Sequence, residues 1–270
     1  MRRNCNKIVK TETTVKLTAD DYDRLNSIKL SYEKGFEVRA KKRDVSVFRH
    51  VGDRRSALLH MLADMYDVNL RLIKFIRNIP EFALLNENDR FILVQNNSPQ
   101  VLCMYLSLNY DIDRGFVIDT SIEGQEYAFI ADQWRRHHLG EQLYSQLHKM
   151  FRSIKEITNS DPIILQVIMV ILLFAKSILL EDAAMNEHLF FQNDKQIFQT
   201  QSIYIDLLFR YMVQKFSTYD QAVRQYAQII HKIVQLITIN WNYRQILEKE
   251  LINIEIDELN PILKSILRFN

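Results

Sequence analysis

Turn-forming residues are scarce in this chain, since its 270 residues include only five glycines and four prolines. Average usage of these two residues together is about 12%. All-β sandwiches and barrels need turn residues at intervals of roughly 8–12 positions. The scarcity therefore excludes a many-turned all-β fold. With 47% hydrophobic and 25% charged residues, the composition is typical of a globular protein with a large core, and we expect a mainly helical one.

The charge balance and the cysteine count exclude several function classes. The net charge is +2, so no global field attracts the chain to nucleic acid or to an anionic membrane. Two cysteines, Cys5 and Cys103, lie far apart and cannot form a disulfide framework or a four-cysteine zinc finger. The basic amino terminus lacks the apolar run of a signal peptide. We expect an intracellular protein with a flexible segment 1–16 and one domain over 17–270, because no linker is apparent.

Helical periodicity covers most of the chain. Thr18-Ala19-Asp20-Asp21 has capping-box spacing and begins a helix that we expect to end at Gly35. Ser98 and Pro99 have the sequence of a second helix start, and Pro162–Leu180 is apolar almost all round, as in a buried central helix. Further helices are predicted over 57–79, 88–94, 98–110, 139–157, 194–216, 219–248 and 258–267, and a small hairpin within 111–130.

The segment between Glu37 and Arg54 has no clear periodicity and is basic, with Arg39, Lys41 and Arg43 close together. We interpret it as a loop. Two roles stay open for it, a solvated surface loop or a patch for nuclear import or phosphate binding.

No catalytic motif is apparent. The sequence contains no Gly-x-Ser-x-Gly elbow, glycine-rich phosphate loop or His-Glu-x-x-His. His137, His138 and Glu141 are possible metal ligands by type, but adjacent histidines point to different helix faces. We therefore expect neither an enzyme nor a metal site, and no cofactor.

One segment, residues 75–95, carries a distinctive motif. It reads Phe-Ile-Arg-Asn-Ile-Pro-Glu-Phe at its start and resembles the signature of nuclear hormone receptor ligand-binding domains. Residues that match the family signature are Phe75, Ile79, Pro80, Phe82, Leu85, Asp89 and Leu93. Residues that depart from it are Ile76, Arg77, Arg90, Val94 and Gln95.

The resemblance extends over residues 17–267. Residues 100–111 look like the fifth helix of the family, and the helix that begins with Asp161 and Pro162 looks like the eighth. Residues 228–246 look like the tenth and eleventh helices, and residues 260–267 look like the terminal activation helix. The resemblance implies an all-α fold, a three-layer antiparallel sandwich of about a dozen helices with one small β-hairpin.

The resemblance also implies an apolar cavity lined by side chains that share helix faces. These are Met65, Val68, Leu72, Leu102, Tyr105, Leu106, Asn109 and Tyr243. By the same resemblance, Asn109 takes the place of an arginine that binds a ligand carboxylate or hydroxyl in many relatives, and Tyr243 that of a ligand-facing histidine. An amide keeps hydrogen-bonding capacity but loses the charge-assisted contact, which favours a small neutral lipophilic ligand. Alternatively, bulky side chains fill the cavity and the chain is a ligand-free helical scaffold or adaptor.

Two surfaces follow from the same resemblance. A groove that binds Leu-x-x-Leu-Leu helices of coactivators or corepressors would use Arg77 as its cation, Gln95 as a polar contact, and Ser265 where the family has glutamate. The long helix after Tyr219 would form a homodimer, or a heterodimer with another nuclear receptor. The dimer positions are Val223, Tyr226, Ile230 and Ile237, although packing inside the domain explains part of the same spacing.

These expectations describe a non-enzymatic transcription regulator that acts in the nucleus and also occurs in the cytoplasm. It would reach DNA only through a domain that lies outside this chain, because two cysteines cannot build the family's two zinc sites. Either the chain is a fragment or it is a receptor without that domain. No membrane association is expected.

Overall fold

Helices dominate the protein. The computed structural model describes residues 15–37, 54–118, 125–176 and 191–251, and 83% of these described residues are helical. The elements within these ranges are α1 (Ala19–Phe36), α2 (Arg54–Arg77), α3 (Pro80–Ala83), α4 (Glu87–Leu108), β1 (Tyr110–Asp111), β2 (Phe116–Val117), α5 (Gln125–Ile157), α6 (Pro162–Leu173), α7 (Asp194–Lys215) and α8 (Tyr219–Leu251).

The predicted all-α class with one small hairpin is confirmed, but eight helices are described and the expected dozen are not confirmed. Several predictions lie outside the described residues. They are the first 14 residues of the amino-terminal segment, the basic segment over 38–53, and the last helix over 258–267 with Ser265.

The start of α1 is the predicted capping box. The Thr18 hydroxyl accepts the Asp21 amide at 3.2 Å, and the Asp21 carboxylate accepts the Thr18 amide at 2.9 Å. Helix α1 ends at Phe36, one residue beyond the predicted end at Gly35. Gly35 lies where α1 meets α2, and a Cβ there would be 2.8 Å from the Cβ of Phe75. Glycine is required by close helix packing.

Helix α4 is continuous through Ser98 and Pro99, so the predicted helix start at these residues is wrong. The helix is capped at Asn86, whose side chain accepts the Asp89 amide at 2.8 Å. The Ser98 hydroxyl donates to the Val94 carbonyl at 2.5 Å, inside the helix. Burial of one side of α4 against α6 outweighs the hydrogen bond that proline removes.

The hairpin is shorter than the predicted strand region. Tyr110 pairs with Val117, Asp111 pairs with Phe116, and helix α5 begins at Gln125, much earlier than predicted. The reason is a buried helical stripe, Ala128, Ala131, Trp134 and His138, at steps of three and four. α5 is interrupted at Gly140, where the backbone has φ 73° and ψ 158°.

Helix α6 forms the centre of the core. Every residue from Ile164 to Phe174 is buried, and α4, α1 and α7 pack around the helix. The prediction of a buried central helix is confirmed as far as Leu173, where α6 ends. Within the described ranges, no single helix is long and apolar enough to cross a membrane; α5 and α6 pass that test only as a pair bent by 119°.

Two buried carboxylates form hydrogen bonds between the helices that pack around α6. The Asp89 side chain, fully buried, accepts the backbone amides of Gln192 at 2.8 Å and Asn193 at 3.0 Å, just before α7. Asp21 binds Arg210 of α7 through two hydrogen bonds of 2.7 and 3.0 Å. Because such charge-assisted bonds are strong, they fix where α7 lies against α1 and α4.

Candidate ligand-binding site

The predicted face of α2 points into the protein. Val68 and Leu72 are buried, and Met65 is half-buried and packs against the core. α2 contacts α1, α4 and α5. Of these three neighbours, α4 is the one that was expected to line the cavity together with α2.

The predicted residues of α4 divide into two groups. Leu102 and Tyr105 are buried, whereas Leu106 is half-buried. The Tyr105 ring stacks on Phe36 of α1, with ring centroids 4.8 Å apart and nearly parallel planes. This side of α4 is thus packed with aromatic rings.

Asn109 forms the carboxyl-terminal cap of α4. Its side-chain amide donates to the Tyr105 carbonyl at 2.9 Å, and its backbone amide donates to the same oxygen at 3.1 Å. This bond fixes the orientation of the side chain, although its NH2 group has a second donor. Asn109 is therefore held in place by its own helix.

A cluster of buried and half-buried side chains joins α2, α4, α5 and α8. The Cys103 thiol donates to the Asn240 Oδ1 at 3.0 Å, and the Tyr243 hydroxyl donates to the Met65 Sδ at 3.5 Å. The His138 ring lies edge-on to Tyr243, with centroids 6.3 Å apart. We call these five residues the interior cluster. It brings two predicted residues, Met65 and Tyr243, into contact across 178 positions of sequence.

Burial holds two members of the interior cluster, Cys103 and Tyr243, in their neutral forms. Burial raises the pKa of the Cys103 thiol to about 12, against the smaller opposing effect of the Asn240 hydrogen bond. Burial also raises the pKa of Tyr243, and the nearby Cys103 adds to the rise. Asn240 is 8% exposed, and within the described ranges its Nδ2 has no hydrogen-bond partner. The cluster therefore offers a buried amide donor near a neutral thiol and a neutral phenol, which suits a neutral hydrogen-bonding ligand.

Sequence reasoning missed Cys103, Asn240 and His138 as members of this cluster. The spacing of Asn240 and Tyr243, three positions apart on one helix, was an available signal because such residues share a face. Cys103 was considered only for disulfides and zinc. Its meeting with Asn240 depends on how α4 packs on α8.

The histidine pair does not form a metal site with Glu141. His138 lies in the interior, while Glu141 pairs with Arg136 at 2.6 Å on the surface. In the parts of the chain that the structure describes, no three histidine, cysteine or acidic side chains group closely enough to hold a metal ion.

Two of the three predicted groove residues are described. Arg77 is exposed at the end of α2, and Gln95 is half-buried on α4, where its Oε1 has no hydrogen-bond partner among the described residues. Phe91, four positions before Gln95 on the same helix face, is 53% exposed, and Leu84 is exposed after α3. Residues 77–95 thus include two large exposed apolar side chains and an exposed cation.

The predicted dimer residues share one stripe along α8. Val223 and Ile230 are exposed, whereas Tyr226 and Ile237 are half-buried. Tyr226 packs edge-on against Phe209 of α7, with centroids 5.3 Å apart. Val234 and Trp241, which are also exposed, lie on the same stripe.

A scan against models of known protein families and a search of curated proteins found no match to this chain.

Proposed function

We propose that this chain is the ligand-binding, regulatory domain of a nuclear receptor-like transcription regulator. It couples a small lipophilic ligand in its interior to coregulator recruitment and dimerisation, and it acts in the nucleus. The observation that carries the proposal is the interior cluster, because Met65, Cys103 and Tyr243 come from the three helices that the resemblance assigns to a ligand cavity.

The order of the elements supports this reading. The signature region spans the end of α2, α3 and the start of α4, and its Asp89 holds the chain before α7. A continuous α4, a hairpin, an apolar α6 and a long α8 then follow in the order that the resemblance implies. A three-layer sandwich of about a dozen helices is the finer form of the fold that we propose.

The ligand we propose is neutral and lipophilic, with one hydrogen-bonding group. Asn240 Nδ2 is the donor that this group would meet, since a buried unpaired amide costs about 1–3 kcal/mol and gains that energy when it is satisfied. An acidic ligand is disfavoured, because burial keeps the Cys103 thiol and the Tyr243 hydroxyl uncharged at neutral pH and neither can offer a positive charge.

The two surfaces complete the proposal. Phe91 with Arg77 offers an apolar contact and a cation for a Leu-x-x-Leu-Leu helix of a coactivator or corepressor. The α8 stripe offers exposed apolar side chains to a second receptor-type chain, the same or a different one.

One observation favours a second candidate, a helical scaffold without a ligand. Tyr105 stacks on Phe36, and Phe36 stacks on Tyr32 at 4.6 Å, so that aromatic rings occupy the space between α1 and α4. If similar packing extends through the interior, no ligand is accommodated.

Native mass spectrometry of the purified chain, followed by thermal shift against a panel of lipids, distinguishes the two. The proposal predicts a retained small molecule, or stabilisation that reaches about 2.7 kcal/mol at a ligand concentration near 100 Kd. Leu102→Trp and Asn240→Leu should reduce the shift while the chain stays folded, and Asn109→Leu should change it less, because Asn109 is bound to its own helix. Leu70→Trp, at an exposed position of α2, is the control. No bound molecule and no stabilisation in any variant would establish the scaffold.

A further inference from the structure

A polar cleft of about 220 Å³ lies on the surface beside the hairpin, on the part of α5 that follows Gly140. Tyr110 of β1 forms one wall, and Ser145, His148, Lys149 and Arg152 of α5 line it as well. None of these residues belongs to the interior cluster. The cleft is therefore a feature separate from the proposed ligand cavity.

Hydrogen bonds between α5 and the hairpin hold the walls in place. The His148 Nδ1 pairs with the Gly115 carbonyl at 2.9 Å, and the Arg152 Nη2 donates to the Ile112 carbonyl at 2.9 Å. Gly115 has φ +75°, a conformation that glycine adopts without strain. Because both ends of the hairpin loop are bonded to α5, the cleft is formed before any ligand arrives.

A stacked group supports the floor of the cleft. The Tyr144 ring lies 3.9 Å from the His148 ring, and the Arg136 guanidinium lies 5.7 Å from the Tyr144 centroid. Tyr144 donates to Asp132 at 2.5 Å, and the His148 Nε2 is 3.4 Å from the same carboxylate. The Asp132 carboxylate therefore contacts these two side chains.

The charges that face the cleft are unequal. Arg136 is neutralised by Glu141 at 2.6 Å. Lys149 and Arg152 are both exposed, and within the described ranges neither has a carboxylate within 4.0 Å. Burial lowers the pKa of His148 against the opposing effect of Asp132, so the imidazole is neutral at pH 7.5. Two cations are left to attract an anion.

We propose that this cleft binds a small phosphate monoester or inorganic phosphate as a dianion. Lys149 and Arg152 supply two positive charges that match the two negative charges, and the hydroxyls of Tyr110 and Ser145 supply neutral donors. The volume is below the roughly 300–1,000 Å³ of pockets for drug-sized ligands, so the ligand is small. This inference is independent of the function proposed for the interior.

Titrations followed by backbone amide NMR, at pH 7.5 and constant ionic strength, test the proposal with three probes: inorganic phosphate, glycerol phosphate and acetate. Phosphate should give saturable shifts in Tyr110, Ser145 and Lys149, and acetate should bind at least five-fold more weakly because it carries one charge. Tighter binding of glycerol phosphate than of inorganic phosphate would identify an ester as the better ligand, and the reverse would identify the free anion.

Charge variants make the test specific. Lys149→Gln and Arg152→Gln should each weaken phosphate binding at least five-fold, whereas Lys29→Gln on the distant α1 should leave it unchanged. Glu141→Gln should tighten binding several-fold, because it releases the charge of Arg136. Circular dichroism verifies that each variant is folded. Unsaturable shifts, equal binding of acetate and phosphate, or equal weakening by Lys29→Gln would overturn the proposal.

Discussion

Cys103 on α4 donates a hydrogen bond of 3.0 Å to Asn240 on α8, and both side chains are buried. This contact spans 137 positions of sequence and connects two helices that the proposed function assigns to one cavity. Removal of one partner should therefore lower the free energy of unfolding, because it leaves the other polar group buried without a hydrogen bond.

Cys103→Ala removes the thiol and leaves the Asn240 carbonyl oxygen buried without this donor. We expect the free energy of unfolding to fall by about 1–3 kcal/mol, measured by urea denaturation. The double variant Cys103→Ala with Asn240→Leu should lose less than the sum of the two single variants, because no polar group is then stranded. Additive losses would show that the pair does not interact.

Gly35→Ala tests the close approach of α1 and α2. At an unconstrained helix position this change stabilises by roughly 0.5–1 kcal/mol. Here the new Cβ would be 2.8 Å from the Phe75 Cβ, so we expect a net loss of about 1–3 kcal/mol. Asn26→Ala, exposed on the same helix, is the control and should be slightly stabilising. Stabilisation by Gly35→Ala would mean that the two helices lie further apart.

Protonation of Asp21 should make the protein less stable in acid. Burial alone would raise the pKa of Asp21, but the hydrogen bonds from Arg210 and Thr18 outweigh it and hold the pKa below its usual range. Because the native pKa lies below the unfolded one, this stabilisation is complete above about pH 4 and is lost as the pH falls through the native pKa. Urea unfolding at pH 7 and pH 3 should show a smaller difference for Asp21→Asn than for the wild type. Equal differences in the two proteins would contradict the assignment.

Ile230→Glu should give a folded monomer if the α8 stripe is a dimer surface. Ile230 is 42% exposed, so the charge is tolerated in the free chain but is costly where two apolar faces meet. Ile237→Glu should also cost stability, because this residue is half-buried. Light scattering gives the mass, and Gln228→Glu, exposed on the opposite side of α8, is the control. A monomeric wild type, or a dimer that persists in both variants, would contradict the proposal that this stripe is a dimer interface.

Arg77→Ala should weaken binding of a labelled Leu-x-x-Leu-Leu peptide, since a cation at this end of the groove favours the peptide's terminal carbonyls. Ser265→Glu should tighten binding about two- to five-fold, because a carboxylate near the peptide's terminal amides contributes roughly 0.3–1 kcal/mol. Fluorescence polarisation measures both, with Lys29→Ala as the control. Affinities that stay equal across all four proteins would mean that no coregulator groove exists here.

Local patterns determined much of the fold from the sequence. The Thr18 capping box, the buried α6 after Asp161 and the stripe along α8 were predicted because their signals arise from residues three to seven positions apart. The hairpin was predicted as well, although its length was not, since Tyr127 and Phe129 at the start of α5 were interpreted as strand residues.

Contacts between residues far apart in the sequence were decided only by the tertiary structure. Pro99 stays inside α4 because α6 packs on that helix, and Gly35 is required because Phe75 of α2 lies against it. Asn240 meets Cys103, and Asp89 meets the residues before α7, across more than 100 positions of sequence. Periodicity indicates which face of a helix is buried but not which neighbour covers it. That pairing is decided when all the helices pack together and bury their polar groups with partners.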